Sequence, residues 1–282
     1  MTQNKTTIGI FMMISAVALL TTMSTLVKLT GTDYHPAQIS FLRNLVAATV
    51  ILPILLRAGG PAILKTKRCG LHFVRSLAGT IGNLLFFYAF QRMPVGDVIV
   101  ISQAVPLFVT LLAVLFLGER VGWRRWVAIS IGFTGVVIAV DPTGNIQTAS
   151  IFAVAATGFW ATTILLMRRL GTTESPYTVA FYFMVIGAVV TGVAQPWVWV
   201  TPTFDMLVLL IGVGVTGALG QILMSYALKF AEASVVSPFN YTGILWGITF
   251  DMIIWGLLPT WTTLVGAGVI TATGIYIFYR EA

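Results

Sequence analysis

Apolar residues run along the chain in blocks of about 20, the length that crosses a ~30 Å hydrocarbon layer as an α-helix. The blocks are continuous and do not alternate with polar residues, which argues against a β-barrel. Read this way, the sequence predicts ten helices at 8–29, 37–56, 71–91, 95–117, 123–140, 149–168, 177–195, 205–229, 233–257 and 261–279. Turn-forming punctuation separates them at Arg57 to Pro61, Gly118 to Arg120, Asp141 to Gly144, Ser175-Pro176 and Pro196. The stretch 57–70 is the only sizeable connection, too short for a separate soluble domain. Lys5 followed by Ile8 to Leu20 imitates a signal peptide, but the apolar run continues through Leu26 without a small-residue cleavage pattern. It is read as a retained first span.

The pattern repeats. Gly79, Gly82, Leu85, Tyr88 and Ala89 return 138 residues later as Gly217, Gly220, Leu223, Tyr226 and Ala227, with Asn83 answered by Gln221. Gly9-Ile-Phe11 matches Ser150-Ile-Phe152, His35-Pro36 matches Ser175-Pro176, Phe41 matches Phe181, and Trp123 matches Trp261. Residues 1–141 and 149–282 therefore read as two repeats of five helices each. Five is odd, so the second repeat must lie inverted relative to the first. The predicted fold class is an all-α integral membrane protein whose ten helices form two inverted repeats around a central cavity, a plan that many secondary transporters use.

Composition agrees. The chain is 57% hydrophobic and 9% charged, with a mean hydropathy of +0.94, against roughly 25% charged in a soluble domain. The net charge of +7 is scattered over short loops rather than gathered on a basic face with aromatics, so nucleic acid is not an expected partner. A single cysteine and two histidines leave little for a metal centre, and no cofactor or metal is expected. Thirteen Lys and Arg, counting Arg75, fall on the side of the two termini and only Lys28 and Arg92 on the other. That bias places both termini in the cytoplasm of a bacterial cell with the chain in its inner membrane. Monomer and homodimer are both open at this stage.

The sequence resembles the drug/metabolite transporter superfamily, in its ten-helix branch with two EamA-type repeats. The residues that carry the resemblance are Phe41-Leu-Arg43-Asn44, Phe87-Tyr-Ala-Phe90, Pro106-Leu-Phe-Val109, Leu117-Gly-Glu-Arg120 and Ser237-Pro-Phe-Asn-Tyr-Thr242 with Trp246. The second repeat departs from the pattern at Gly256-Leu257, where Gly-Glu is usual, so the role of Glu119 is not duplicated. The resemblance implies alternating-access transport of a small metabolite, among them amino acids, riboflavin, S-adenosylmethionine and cationic drugs.

Polar residues inside apolar spans mark the expected path, because each is costly in hydrocarbon without a partner or water. In the ninth span Ser237, Asn240, Gly243, Gly247 and Asp251 share one stripe, with Tyr241 at its border. The stripe suits a cavity wall or close glycine packing. Gln103, Pro106 and Thr110 line up in the fourth span, and Pro106 and Pro238 free backbone carbonyls that can bind solute or act as hinges. Arg43 lies about ten ångströms from the end of its span at 1.5 Å per residue. Asp251 lies at similar depth, so the two are expected to pair unless Arg43 holds an anionic solute. Arg43, Asn83, Tyr88, Gln103, Trp160, Gln221, Tyr226, Asn240, Tyr241 and Asp251 are thus the candidate substrate contacts. Asp97, Asp251, Pro106 and Pro238 are the candidates for coupling or gating, the two acids as proton carriers.

The resulting expectation is a secondary carrier, and not an enzyme, moving an amino acid or related amphipathic metabolite, with export as the expected direction. Uptake of riboflavin, S-adenosylmethionine or another nucleotide-like metabolite is the alternative. A passive channel or a membrane enzyme is the remaining rival, and no paired carboxylates, metal cluster or phosphate loop favours the enzyme.

Overall fold

The computed structural model describes residues 2–60, 64–117, 122–140, 148–170 and 173–281. The turns at Gly118 to Arg120 and Asp141 to Gly144, and with them Glu119, lie outside the described residues. The helices are α1 (Thr2–Leu29), α2 (Pro36–Gly59), α3 (Cys69–Phe90), α4 (Val95–Ser102), α5 (Val105–Leu117), α6 (Trp123–Val140), α7 (Thr148–Leu170), α8 (Pro176–Val193), α9 (Gln195–Val198), α10 (Phe204–Phe230), α11 (Ala233–Val236), α12 (Thr242–Trp255) and α13 (Trp261–Glu281). They make ten crossings, because α4 with α5 forms the fourth and α11 with α12 the ninth. The fold is that of a ten-helix membrane protein. Lys5–Leu29, Cys69–Phe90, Val95–Phe116, Thr148–Met167 and Phe204–Phe230 are each long and apolar enough to cross a bilayer.

Two crossings are broken where one continuous helix was expected, and proline is the reason in both. Pro106 has no N–H to give the preceding turn, so α4 stops at Ser102 and α5 starts afresh at Val105. Pro238 likewise opens a 3-10 turn, Ser237–Tyr241, between α11 and α12. At its other end α12 closes on Gly256, whose φ of 66° lets Leu257 N–H reach back to the Asp251 carbonyl at 3.1 Å. The first helix begins at Thr2 rather than Ile8, and α9 is an unpredicted single turn started by Pro196.

Packing pairs the two halves of the chain with each other. α1 lies along α10 and α3 along α7; α2 meets α8, α6 meets α13, and α4 meets α12. α2 also packs on α10 as α8 packs on α3. Each contact maps onto a partner contact, or onto itself, when first-half helices are exchanged for second-half ones. The short connections make successive crossings antiparallel, so both termini lie at one end, here the terminal end. The outer surface is apolar, with Phe11, Phe116, Leu245 and Ile253 exposed to what is lipid in the membrane. Trp123, Trp126, Trp197, Trp199 and Trp261 are exposed at helix ends, the expected place for interfacial aromatics.

One of the cations counted at the terminal end belongs elsewhere. Arg75 sits in the second turn of α3 and is 4% exposed, so it is a buried span residue and not a loop charge. A single basic residue near a helix start reads as an interfacial charge; only its position on a polar helix stripe distinguishes the two cases.

Candidate functional site

A cavity of about 610 Å³ occupies the middle of the molecule. Its walls come from both halves: Leu20, Thr21 and Ser24 of α1, Arg43 of α2, Asn83, Phe86, Phe87 and Phe90 of α3, and Trp160 of α7 face Gln221 and Met224 of α10. The broken crossings add Gln103, Pro106 and Thr110 on one side and Pro238, Asn240, Tyr241 and Gly243 on the other, and α13 adds Gly274 and Ile275. A volume of this size accepts a drug-sized solute.

The two breaks are tied to each other. Gln103 donates from its Nε2 to the Asn240 carbonyl at 3.0 Å, so the amide of one interrupted helix satisfies backbone exposed by the other. Asn83 lines the cavity and is 8% exposed, and its buried Nδ2 has no hydrogen-bond partner. Arg43 is 5% exposed and its Nη1 donates to Asn44 Oδ1 at 3.2 Å, while its Nε has no partner. The polar groups of the wall are one guanidinium, several amides and the hydroxyls of Thr21, Ser24, Ser102 and Thr110, set among Phe86, Phe87, Phe90, Trp160 and Tyr241. Such a lining binds an anionic group by charge and a flat apolar group by stacking.

Of the candidates read from the sequence, Arg43, Asn83, Gln103, Trp160, Gln221, Asn240, Tyr241, Pro106 and Pro238 come together on this cavity. Four do not. Tyr88 packs its ring 4.7 Å from Phe152 and lies under the Arg92 guanidinium at 3.7 Å. Tyr226 stacks on Phe230 one turn away, facing Lys229 at 6.0 Å. Both tyrosines share the repeat's glycine-rich helices, but a rotation along the helix turns them off the lumen. Asp97 accepts from the Thr263 hydroxyl at 2.8 Å and ties α4 to α13. Asp251 pairs with Lys28 at 3.0 Å and accepts from Gly96 N–H at 2.7 Å.

The expected Arg43–Asp251 pair is thus replaced by Lys28–Asp251, because Lys28 at the end of α1 and Asp251 in α12 meet at the far end, beyond the cavity. The ninth-span stripe divides accordingly. Asn240 and Gly243 line the lumen, whereas Gly247 packs on Gly96, where a Cβ would come within 3.0 Å of the Gly96 Cα. At the far end Gln91 also holds the α1–α2 turn, donating to Tyr34 O at 2.8 Å, and Gln38 exchanges two hydrogen bonds with Val200 at 2.6 and 3.0 Å. Lys28, Gln38, Gln91 and Asp251 are not among the residues that line the cavity, whereas Phe90 and Ile99 are.

Residues 7–140 and 147–280 each match the model of a family described as "EamA-like transporter family". The chain is 31% identical to an S-adenosylmethionine uptake transporter of Rickettsia bellii over 90% of this chain and 87% of that one. It is 30% identical to a riboflavin transporter of Vibrio cholerae, covering 86% of this chain and 83% of the relative. It is 28% identical to the pseudopaline exporter CntI of Pseudomonas aeruginosa, covering 95% and 94%. A solved crystal structure with 16% sequence identity superposes with a TM-score of 0.66 over 97% of this chain and 98% of that one, which shows the shared fold.

Proposed function

The chain belongs to the EamA-like transporter family, and from that premise we propose that it carries an amphipathic metabolite with a carboxylate and a flat or apolar body. It is a multi-pass membrane transporter of a small molecule, of the drug/metabolite type. The carboxylate is held by Arg43, the polar groups of the body by Asn83, Gln103, Gln221 and Asn240, and its apolar part by Trp160 and Tyr241. An amino acid bearing a nucleoside, as in S-adenosylmethionine, uses all three kinds of contact, and one relative is named for that solute. The observation that carries this reading is a single buried guanidinium among the amides, hydroxyls and aromatic rings that line a cavity of about 610 Å³. A free small amino acid leaves much of that volume unfilled.

In this proposal the halves 1–141 and 149–282 rock about the cavity in the inner membrane, with both termini cytoplasmic. Such a carrier is reversible, so the export expected from sequence, or net uptake, follows from the gradients of solute and of any coupled proton. Counterflow in proteoliposomes tests it. Preloaded unlabelled S-adenosylmethionine should accelerate entry of the labelled compound, and Arg43→Gln should weaken it about 10- to 100-fold, the loss of one charge-assisted hydrogen bond of ~1.5–3 kcal/mol. Riboflavin is the second reading, favoured by the aromatic wall and by a relative named for it. Riboflavin has no carboxylate, so its counterflow should be insensitive to Arg43→Gln. Absence of counterflow with either solute rejects both readings.

A further inference from the structure

One face of α3 is polar over three turns. His72, Arg75, Ser76, Thr80 and Asn83 recur at helical spacing, each less than a tenth exposed. The repeat provides an internal comparison. In the register that aligns Gly79 with Gly217, the same positions of α10 are Leu210, Val213, Gly214, Ala218 and Gln221. Leu210, Val213 and Ala218 are equally buried, so this place in the fold packs well with apolar side chains. The polar groups of α3 are not required for packing, and burying them carries a cost.

The same comparison applies to the neighbouring pair α2 and α8. The register that aligns Phe41 with Phe181 sets Arg43 against Phe183. Each of these side chains lies on the other half's glycine: a Cβ on Gly217 would be 3.4 Å from Arg43 Nε, and one on Gly79 would be 2.8 Å from Phe183 Cε2. Where the second half presents a ring, the first presents a guanidinium. Arg75 completes the group, with its Cζ 4.3 Å from the Phe183 ring centroid and the Arg43 Cζ 6.0 Å from the same point.

Two buried guanidiniums therefore share one aromatic neighbour. Among the described residues the acid–base contacts are Lys28–Asp251 and, at 3.9 Å, the imidazole of His72 with Glu174, so neither arginine has an acid partner. Beyond the Arg43–Asn44 contact, Arg75 reaches only the Met167 sulfur, at 3.2 Å. Arg43 Nε, Arg75 Nε and Nη1, and the hydroxyls of Ser76, Thr80 and Thr163 have no hydrogen-bond partner. Every one of these groups can donate. Contact with a ring favours a desolvated cation, but it offsets only part of what burial of one ion costs.

We propose that Arg43 and Arg75, with the hydroxyls of Ser76 and Thr80, form an anion site beside the central cavity that takes one carboxylate. The planar fork of each guanidinium suits paired oxygens. This deepens the reading of Arg43 given above by assigning it a second cation, and it is tested by binding to the purified chain rather than by transport. The two readings can therefore fail separately.

The probe is sodium formate, titrated into the purified full-length protein in zwitterionic buffer while its melting temperature is followed. Wild type should show a saturable rise. The half-saturating concentration should increase at least tenfold in Arg75→Gln and severalfold in Thr80→Val, while general salt effects remain common to all. A triple variant, Arg75→Val, Ser76→Gly and Thr80→Ala, writes the α10 residues into α3. It should melt at or above the wild-type temperature without formate and lose the saturable response. Identical, non-saturating titrations in wild type and variants overturn the site, as does a saturable response that survives in the triple variant. Flux assays then identify the natural source: inhibition by formate assigns the site to the solute's own carboxylate, and stimulation assigns it to a free anion.

Discussion

The Lys28 ammonium lies 3.0 Å from Asp251 Oδ1, and the other oxygen of that carboxylate accepts from Gly96 N–H at 2.7 Å. One side chain of α12 thereby holds α1 and α4 at the far end of the molecule. The Lys28 ammonium also sits 4.2 Å from the centre of the Trp255 ring. In the proposed transport cycle, opening of the far end would break these contacts. On that proposal they are the charged part of a seal.

Removing the acid should loosen that seal and the fold together. Asp251→Ala strands a buried ammonium and a buried N–H, so apparent stability should fall by ~3–5 kcal/mol. Asp251→Asn keeps an acceptor for Gly96 and should cost less. Thermal melting of the purified variants in detergent ranks them. The double exchange Lys28→Asp with Asp251→Lys should recover part of the ion pair but not the Gly96 bond, and an unchanged melting temperature in Asp251→Ala counts against the clamp.

Gln103 connects the two interrupted crossings, and its replacement separates a structural amide from a solute contact. Gln103→Leu fills the space but leaves the Asn240 carbonyl without its donor, at ~1–3 kcal/mol. Melting temperature should fall, and transport should fall further than stability alone requires, because the tie crosses between the halves that the proposed cycle moves. Gln103→Glu brings an acceptor to an acceptor and should be worse than Gln103→Leu in both measurements.

How far the sequence foretold this arrangement depends on which physical signal each residue leaves. The ten crossings, the two repeats and the proline sites are legible because span length and fixed spacing are properties of the chain itself. Gln103, Pro106 and Thr110 reach the cavity as one stripe for the same reason, since helical periodicity fixes their common face. The fate of Asp251 was not legible: depth matched it to Arg43, but lateral neighbours are set by tertiary packing, which brought α1 and Lys28 instead. Tyr88 and Tyr226 shared the repeat motif with Asn83 and Gln221, yet five residues along a helix turn a side chain by more than a quarter circle. Arg75 taken alone reads as one charge near a loop; the signal that places it inside the span is the recurrence of His72, Arg75, Ser76, Thr80 and Asn83 on one helical face.

The aromatic wall makes a graded prediction. Trp160 lines the cavity, whereas Trp246 is not among the lining residues and lies tilted against Phe250, with ring centroids 6.4 Å apart. An aromatic contact is worth ~0.5–1.5 kcal/mol beyond its buried area, so Trp160→Ala should raise KM roughly 3- to 10-fold for a solute with a flat ring and less for one without. Trp246→Ala should lower the melting temperature with little change in KM. Equal KM effects from the two variants would remove Trp160 from the solute's surroundings.

Orientation can be read on the native chain, because its one cysteine is already at a useful place. Cys69 starts α3 at the terminal end and is exposed. The excess of Lys and Arg on that side predicts that it faces the cytoplasm. A membrane-impermeant maleimide should therefore label Cys69 in inside-out vesicles and spare it in intact spheroplasts. Leu258 supplies the opposite report, since it is 73% exposed in the turn between α12 and α13 at the far end. With Cys69→Ser as background, Leu258→Cys should be labelled in intact spheroplasts. If the two positions reacted on the same side, an odd number of crossings would separate residues 69 and 258 no longer, and the inverted relation of the halves would fall with it.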